Sequence, residues 1–193
     1  LCGFSYNWRI RRSSPMTDWP FGRQTPDTNL MRFVSKHFSY VENMLDIGCG
    51  EGANVRELAR ERGHHVFSID KDPNVEPPIK EAPHRHTCID VQEYDFKGPF
   101  GLIYDVNTLC HVQNPPFEKI KAGLGPEGIF FSICPQFGSS SRVMQGKEYT
   151  RFLTLKGAQE FSAGVFSKVL VGSATYRLPG DEMYASWLIE ARP

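Results

Sequence analysis

The segment Met44-Leu45-Asp46-Ile47-Gly48-Cys49-Gly50-Glu51-Gly52 constrains this chain more than any other, because a short apolar run carries an acid straight into three alternating glycines. Alternating glycines serve a backbone that turns with positive φ and lets a ligand approach without a Cβ in the way. The residues that follow continue the pattern: Ala53 to Arg62 reads as a helix, Gly63 ends it, and Val66-Phe67-Ser68-Ile69 runs apolar into Asp70. Strand, glycine turn, helix, strand and acid make one βαβ unit. The chain is thereby committed to an α/β fold.

A carboxylate at the tip of the second strand suits a ribose diol, since an ionised acid accepts hydrogen bonds from both hydroxyls. Asp70 is that candidate, and its separation from the glycines fits the roughly 20-residue interval of one crossover. The glycines alone leave two cofactor classes open, because Gly48 to Ala53 also satisfies the G-x-G-x-x-A form of the dinucleotide fingerprint. Flanking charge separates them. Carboxylates at Asp46 and Glu51 repel a pyrophosphate and tolerate a ligand bearing an ammonium and a sulfonium.

At these residues the chain resembles the class I S-adenosylmethionine-dependent methyltransferases, whose first motif reads acid-x-Gly-x-Gly-x-Gly, matched by Asp46, Gly48, Gly50 and Gly52. Thr87-Cys88-Ile89-Asp90-Val91 resembles the family's third strand, whose terminal acid meets the adenine amino group. Phe100 to Val112 resembles its fourth strand and following turn, with Asp105 at the strand tip and an Asn-x-Leu-x-His-Val tail. Gly125 to Ile133 resembles the proline-glycine turn and fifth strand. Lys168 to Tyr176 and Met183 to Ala191 read as paired strands around Leu178-Pro179-Gly180-Asp181. The resemblance implies a Rossmann-like three-layer sandwich with a seven-stranded, mostly parallel sheet and an antiparallel C-terminal hairpin strand. It implies S-adenosylmethionine as cofactor, S-adenosylhomocysteine as product and no metal. Carried over as cofactor-binding positions are Asp46, Gly48, Cys49, Gly50, Gly52, Asp70, Lys71, Asp90, Val91 and Asp105.

Size and charge narrow the partners. A chain of 193 residues that is 40% hydrophobic buries one sizeable core, so a single domain is expected over 16–193. Its 22 Lys and Arg are balanced by 22 Asp and Glu, and no global positive field gathers nucleic acid or anionic membrane. Asn114-Pro115-Pro116-Phe117 spells a tetrapeptide used by some adenine-N6 DNA methyltransferases, but it lies past the fourth strand tip, where prolines start a helix. No apolar run reaches the roughly 20 residues of a spanning helix. Five cysteines, none in a C-x-x-C pair, disfavour a disulfide or zinc framework, and a cytoplasmic location is expected. A small-molecule acceptor leads. A protein or nucleic-acid methyltransferase of the same fold, or a non-catalytic S-adenosylmethionine or nicotinamide nucleotide-binding protein, is the alternative.

At the N-terminus, residues 1–15 read as a basic, polar leader before Met16, and 16–42 as a cap arm and helix. Asp27 or Thr28 caps a helix through Lys36 whose apolar face comprises Leu30, Met31, Phe33, Val34 and His37. The resemblance makes Arg23 the candidate to pair with the methionine carboxylate; otherwise it is a solvated loop residue. His111 is the candidate general base, since imidazole titrates near neutrality and follows the fourth strand; the competing reading is that it shapes the pocket. Asn107 orients a substrate or caps the next helix. Residues 134–166 are read as a possible substrate lid, with Arg142, Lys147 or Arg151 available to an anionic acceptor. The His64-His65 pair and the His84-Arg85-His86 cluster read as solvated turns, and no carboxylate is spaced with them for a metal.

Overall fold

The computed structural model describes residues 5–6, 25–75, 84–136, 154–177 and 183–193. Its sheet is built from β1 (Ser5–Tyr6), β2 (Asn43–Ile47), β3 (His65–Asp70), β4 (His84–Cys88), β5 (Phe100–Val106), β6 (Leu124–Pro135), β7 (Lys168–Arg177) and β8 (Met183–Arg192). They lie in the order β1-β7-β8-β6-β5-β2-β3-β4. The seven expected strands are therefore joined by a two-residue edge strand drawn from the segment read as a leader. β2 through β6 run parallel, and β8 is inserted antiparallel between β6 and β7, as the resemblance implied. The hairpin turn around Pro179 lies outside the described residues.

Alternation along the strands sends side chains to two faces, and each face has its own core. On one, Met44, Val66, Leu102, Ile129 and Phe131 are buried beneath α1 (Thr28–His37) and α2 (Ala53–Arg56). Asp27 is the N-cap of α1, its carboxylate accepting from the Asn29 and Leu30 N–H groups. Leu30, Met31 and Val34 turn inward, and Phe33 stacks on Phe131 at 4.1 Å. The helix expected over Ala53–Arg62 is α-helical for one turn and then widens into a π turn over Glu57–Glu61. On the opposite face, Leu45, Ile69, Ile103 and Phe130 pack against α3 (Phe117–Gly123) and α4 (Leu155–Glu160). Within the segment read as a lid, residues 137–153 lie outside the described residues. Ala158, Phe161 and Phe166 after them are buried in this second core.

Two local expectations are corrected. The third strand is His84–Cys88 rather than Thr87–Val91, because its ladder to β3 runs from Val66↔His84 to Asp70↔Cys88 and ends there. His84-Arg85-His86 is consequently strand, not a solvated turn. His84 is buried, and His84 Nε2 and His86 Nδ1 both lie 2.9 Å from Ser68 Oγ. His64 is buried as well; its Nδ1 accepts from the Glu42 N–H, while His65 opens β3.

Phe130 is fully buried between Phe117 at 5.8 Å and Phe166 at 5.6 Å. Phe130→Ala should destabilise the fold by about 3–5 kcal/mol through lost burial and the cavity left behind. Urea unfolding checks this; a loss well below that range would show that the aromatic cluster collapses to fill the space.

Candidate functional site

The strand order reverses at β2, with β3 and β4 leading away on one side and β5 and β6 on the other. In an open parallel sheet such a reversal leaves a crevice at the carboxyl ends of the strands, where ligands bind. The glycine turn occupies that point. Gly48, Gly50 and Gly52 have φ of 72°, 50° and 74°, all left-handed. A Cβ on Gly48 would fall on the Thr108 side chain of the β5 tip, so sterics as well as φ require glycine there. A Cβ on Gly50 would meet nothing within 4 Å among the described residues, which leaves that side of the turn open to a ligand as far as they extend.

The tip of β3 holds the turn. The Ile69 carbonyl accepts from the N–H groups of Gly48 (2.8 Å) and Cys49 (3.1 Å), and Asp70 Oδ2 accepts from Gly50 N–H at 2.9 Å. The other Asp70 oxygen accepts from Asp72 N–H at 3.0 Å. Asp70 is half-buried, so its carboxylate is both anchored to the turn and open to the crevice.

Asp46 lies beneath the turn, 2% exposed, with no hydrogen-bond partner for Oδ2 among the described residues. Register places Ser68 on one side of it and Tyr104 on the other. Burial pushes its carboxyl up to about 8; the Tyr104 hydroxyl opposes this, and the nearby Asp105 and Asp70 charges reinforce it. Asp105 is fully buried, and its Oδ2 accepts from Thr108 and Leu109 N–H at 3.0 Å, capping the short 3-10 turn Leu109–His111. Burial raises its carboxyl to about 6, opposed by Ser132 and those two N–H groups. Asn107, expected as a possible cap, is instead the left-handed residue (φ 57°) through which the chain leaves β5, and Asp105 does the capping.

The remaining sites differ in accessibility. Asp90 lies beyond β4, half-buried, with Oδ1 accepting from Gln92 N–H. Val91 is buried in the core, Lys71 is exposed, and His111 is half-buried at the end of the 3-10 turn. Burial raises the Cys49 thiol far above its ordinary range, and Sγ lies 3.7 Å from His86 Nδ1, so the sulfur is an inert filler. Arg23 lies outside the described residues. Reading by residue type missed Ser68, Tyr104 and His86, which pairing register brings into line with Asp46. Among the described residues no group of three or more His, Cys, Asp or Glu could hold a metal, and no helix is long and apolar enough to cross a membrane.

The family described as a methyltransferase domain matches residues 20–162, a span holding the glycine turn and the β3, β4 and β5 tips. The chain belongs to that family. The domain is 25% identical over 140 residues to phosphoethanolamine N-methyltransferase 1 of Triticum aestivum, covering 67% of this chain and 27% of that protein. A Haemonchus contortus phosphoethanolamine N-methyltransferase 2, solved with S-adenosyl-L-methionine, superposes with a TM-score of 0.68 at 18% identity, covering 91% of this chain and 56% of that one. A Burkholderia thailandensis 1,6-didemethyltoxoflavin-N1-methyltransferase, solved with 1,6-didemethyltoxoflavin and S-adenosylhomocysteine, gives 0.69 at 19% identity, covering 86% and 78%. At those identities the likeness is one of fold. The chain thus spans about a quarter of its wheat relative and just over half of the Haemonchus chain.

The buried acid makes stability depend on pH. Asp46 rises from 3.8 to about 8 on folding, so the folded chain keeps a proton that the unfolded chain has released. The stability this confers is full below 3.8 and is lost as pH rises toward 8. The melting temperature of the ligand-free domain relative to Asp46→Asn should therefore fall across that interval. A constant difference between the two melting curves would show that Asp46 is ionised throughout.

Proposed function

We propose that this methyltransferase domain uses S-adenosylmethionine to methylate a small-molecule acceptor by direct displacement, leaving S-adenosylhomocysteine. The observation that carries the reading is the left-handed glycine turn tied to Asp70 at the sheet's reversal point, with acidic rather than basic side chains beneath it. The open side of Gly50 admits a ligand against the main chain, and acids near the turn suit a cationic ligand over a pyrophosphate. The N-methyltransferases to which the domain is similar support a small acceptor, and their names make phosphoethanolamine and other small amines the first to try. A cytoplasmic setting belongs to the same proposal.

Bound S-adenosylmethionine supplies a sulfonium methyl that is already a strong electrophile. The chain's residues must therefore bind, align and handle one proton. Gly48, Gly50 and Gly52 bring the backbone into contact with the cofactor, Asp70 receives the ribose hydroxyls, and Asp90 with Val91 borders the adenine. Cys49 and Lys71 flank those contacts, Asp46 faces the cofactor's positive end through the turn, and Asp105 fixes the turn after β5. Arg23 is assigned to the methionine carboxylate. His111 accepts the acceptor's proton on its imidazole as the new bond to the methyl carbon forms and the carbon–sulfur pair returns to sulfur.

Calorimetry should give heat with S-adenosylmethionine and S-adenosylhomocysteine and none with NADH; heat with NADH alone would overturn the cofactor assignment. Asp70→Ala should weaken cofactor binding by about 10- to 100-fold, as expected for losing charge-assisted hydrogen bonds. Unchanged affinity would reject the ribose role.

His111→Ala should lower turnover by about 10²- to 10⁴-fold while leaving cofactor affinity nearly intact. Loss of affinity with turnover preserved would remove His111 from the chemistry. Labelled methyl passing to protein or nucleic acid, but not to a panel of small amines, would overturn the acceptor class.

A further inference from the structure

The C-terminal hairpin carries two tyrosines where its function as sheet would be served by phenylalanine. Tyr176 on β7 and Tyr184 on β8 are direct cross-strand partners, with ring centroids 6.2 Å apart. Tyr184 is fully buried and Tyr176 half-buried. A buried hydroxyl is costly unless it is bonded, and both of these bond to elements bordering the glycine turn.

One arm reaches the start of the turn. The Tyr184 hydroxyl donates to Asn107 Oδ1 at 3.4 Å, at the left-handed exit from β5. The next residue, Thr108, lies against Gly48, with Oγ1 donating to the Gly48 carbonyl at 3.4 Å. The other arm reaches the end of the turn. The Tyr176 hydroxyl donates to Asp27 Oδ2 at 3.2 Å and accepts from Asn29 Nδ2 at 2.6 Å, so its bonding capacity is used in both directions. Asp27 N–H in turn donates to Asn54 Oδ1 at 2.7 Å. Asn54 stands two residues after Gly52, which gives α2 no side-chain cap; Asp27 ties that first turn of helix from outside.

We infer that the Tyr176–Tyr184 pair closes a ring of contacts around the glycine turn, making both tyrosines positioning residues for methyl transfer. The ring is a property of the fold; its consequence for the cofactor rests on the methyltransferase reading above. The β3 tip fixes the turn's N–H groups from one side, and the ring fixes its two ends relative to the β5 tip, where His111 follows. A displacement of about 1 Å between cofactor and base costs on the order of 100-fold in rate, so such bracing has a catalytic effect without touching a substrate.

Tyr176→Phe and Tyr184→Phe keep the rings and remove the hydroxyls. In the ligand-free domain each should speed amide hydrogen exchange from Gly48 to Asn54 by about tenfold, although neither residue lies in that segment. Each should also raise the dissociation constant for S-adenosylmethionine by about tenfold. The double variant should lose less than the product of the two, because a ring opened at one point is already open. Ile120→Val, in the core on the opposite face, lowers melting temperature without entering the ring and should leave turn exchange and cofactor affinity unchanged. Unchanged turn exchange in both phenylalanine variants, or effects that multiply fully, would overturn the ring. A wild-type domain that binds no S-adenosylmethionine would overturn the methyltransferase reading instead, and the exchange rates would still judge the ring.

Discussion

Three successive backbone N–H groups, those of Gly48, Cys49 and Gly50, are taken up by the tip of β3, two by the Ile69 carbonyl and one by the Asp70 carboxylate. The site depends on this. A turn passing through left-handed φ at three glycines has lost the conformational restraint that side chains would give it and would be entropically costly to order on binding. Spending its donors on the neighbouring strand orders it in advance. The same bonds place Asp70 beside the turn, so one carboxylate sets both the shape of the turn and the chemistry at its edge.

The price of that architecture appears underneath. Asp46 and Asp105 occupy adjacent strands at buried depth, and the charged groups acting on Asp46 are themselves carboxylates. Asp105 offsets its burial with two backbone N–H groups; Asp46 has an oxygen left unbonded among the described residues. Protonated in the ligand-free domain at neutral pH, an acid so placed gives up its proton more readily when positive charge arrives beside it, an electrostatic preference that suits a sulfonium cofactor. The fold tolerates the cost because the two hydrophobic clusters on the sheet's faces are extensive and largely independent of these carboxylates.

Much of this was legible in the residues. The run from Met44 to Asp70 declared its βαβ unit because apolar strands, glycines and an acid each carry a local signal. Asp27 as a helix cap and the paired C-terminal strands were readable for the same reason. β4 was not, because an edge strand buries alternate residues only; His84 and His86 look like solvent-facing side chains until Ser68 on the neighbouring strand is seen to bond both. Asn107 reads in the sequence as a substrate-orienting or capping residue, and only the N–H bonds from Thr108 and Leu109 to Asp105, with the left-handed φ at Asn107, show which acid or amide holds the turn after β5. Tyr176 was legible as a strand residue, but its bonds to Asn29 and Asp27 span 147 and 149 positions, a distance no local pattern encodes.

The two halves of the crevice are made of different materials, and this separates what each can specify. On the β2–β3 side the contact surface is main chain, shaped by glycines whose φ admits few substitutes and anchored by the Asp70 carboxylate. On the β5 side it is side chain: His111 stands half-buried at the end of a short turn whose form Asp105 keeps, behind Asn107 and Thr108, which are tied to Tyr184 and Gly48. A backbone surface suits the one ligand a family shares, because its geometry survives sequence drift. A side-chain surface suits the ligand on which members differ. Under the proposed function, cofactor choice falls to the glycine turn, and acceptor choice to the wall facing it across the reversal in strand order.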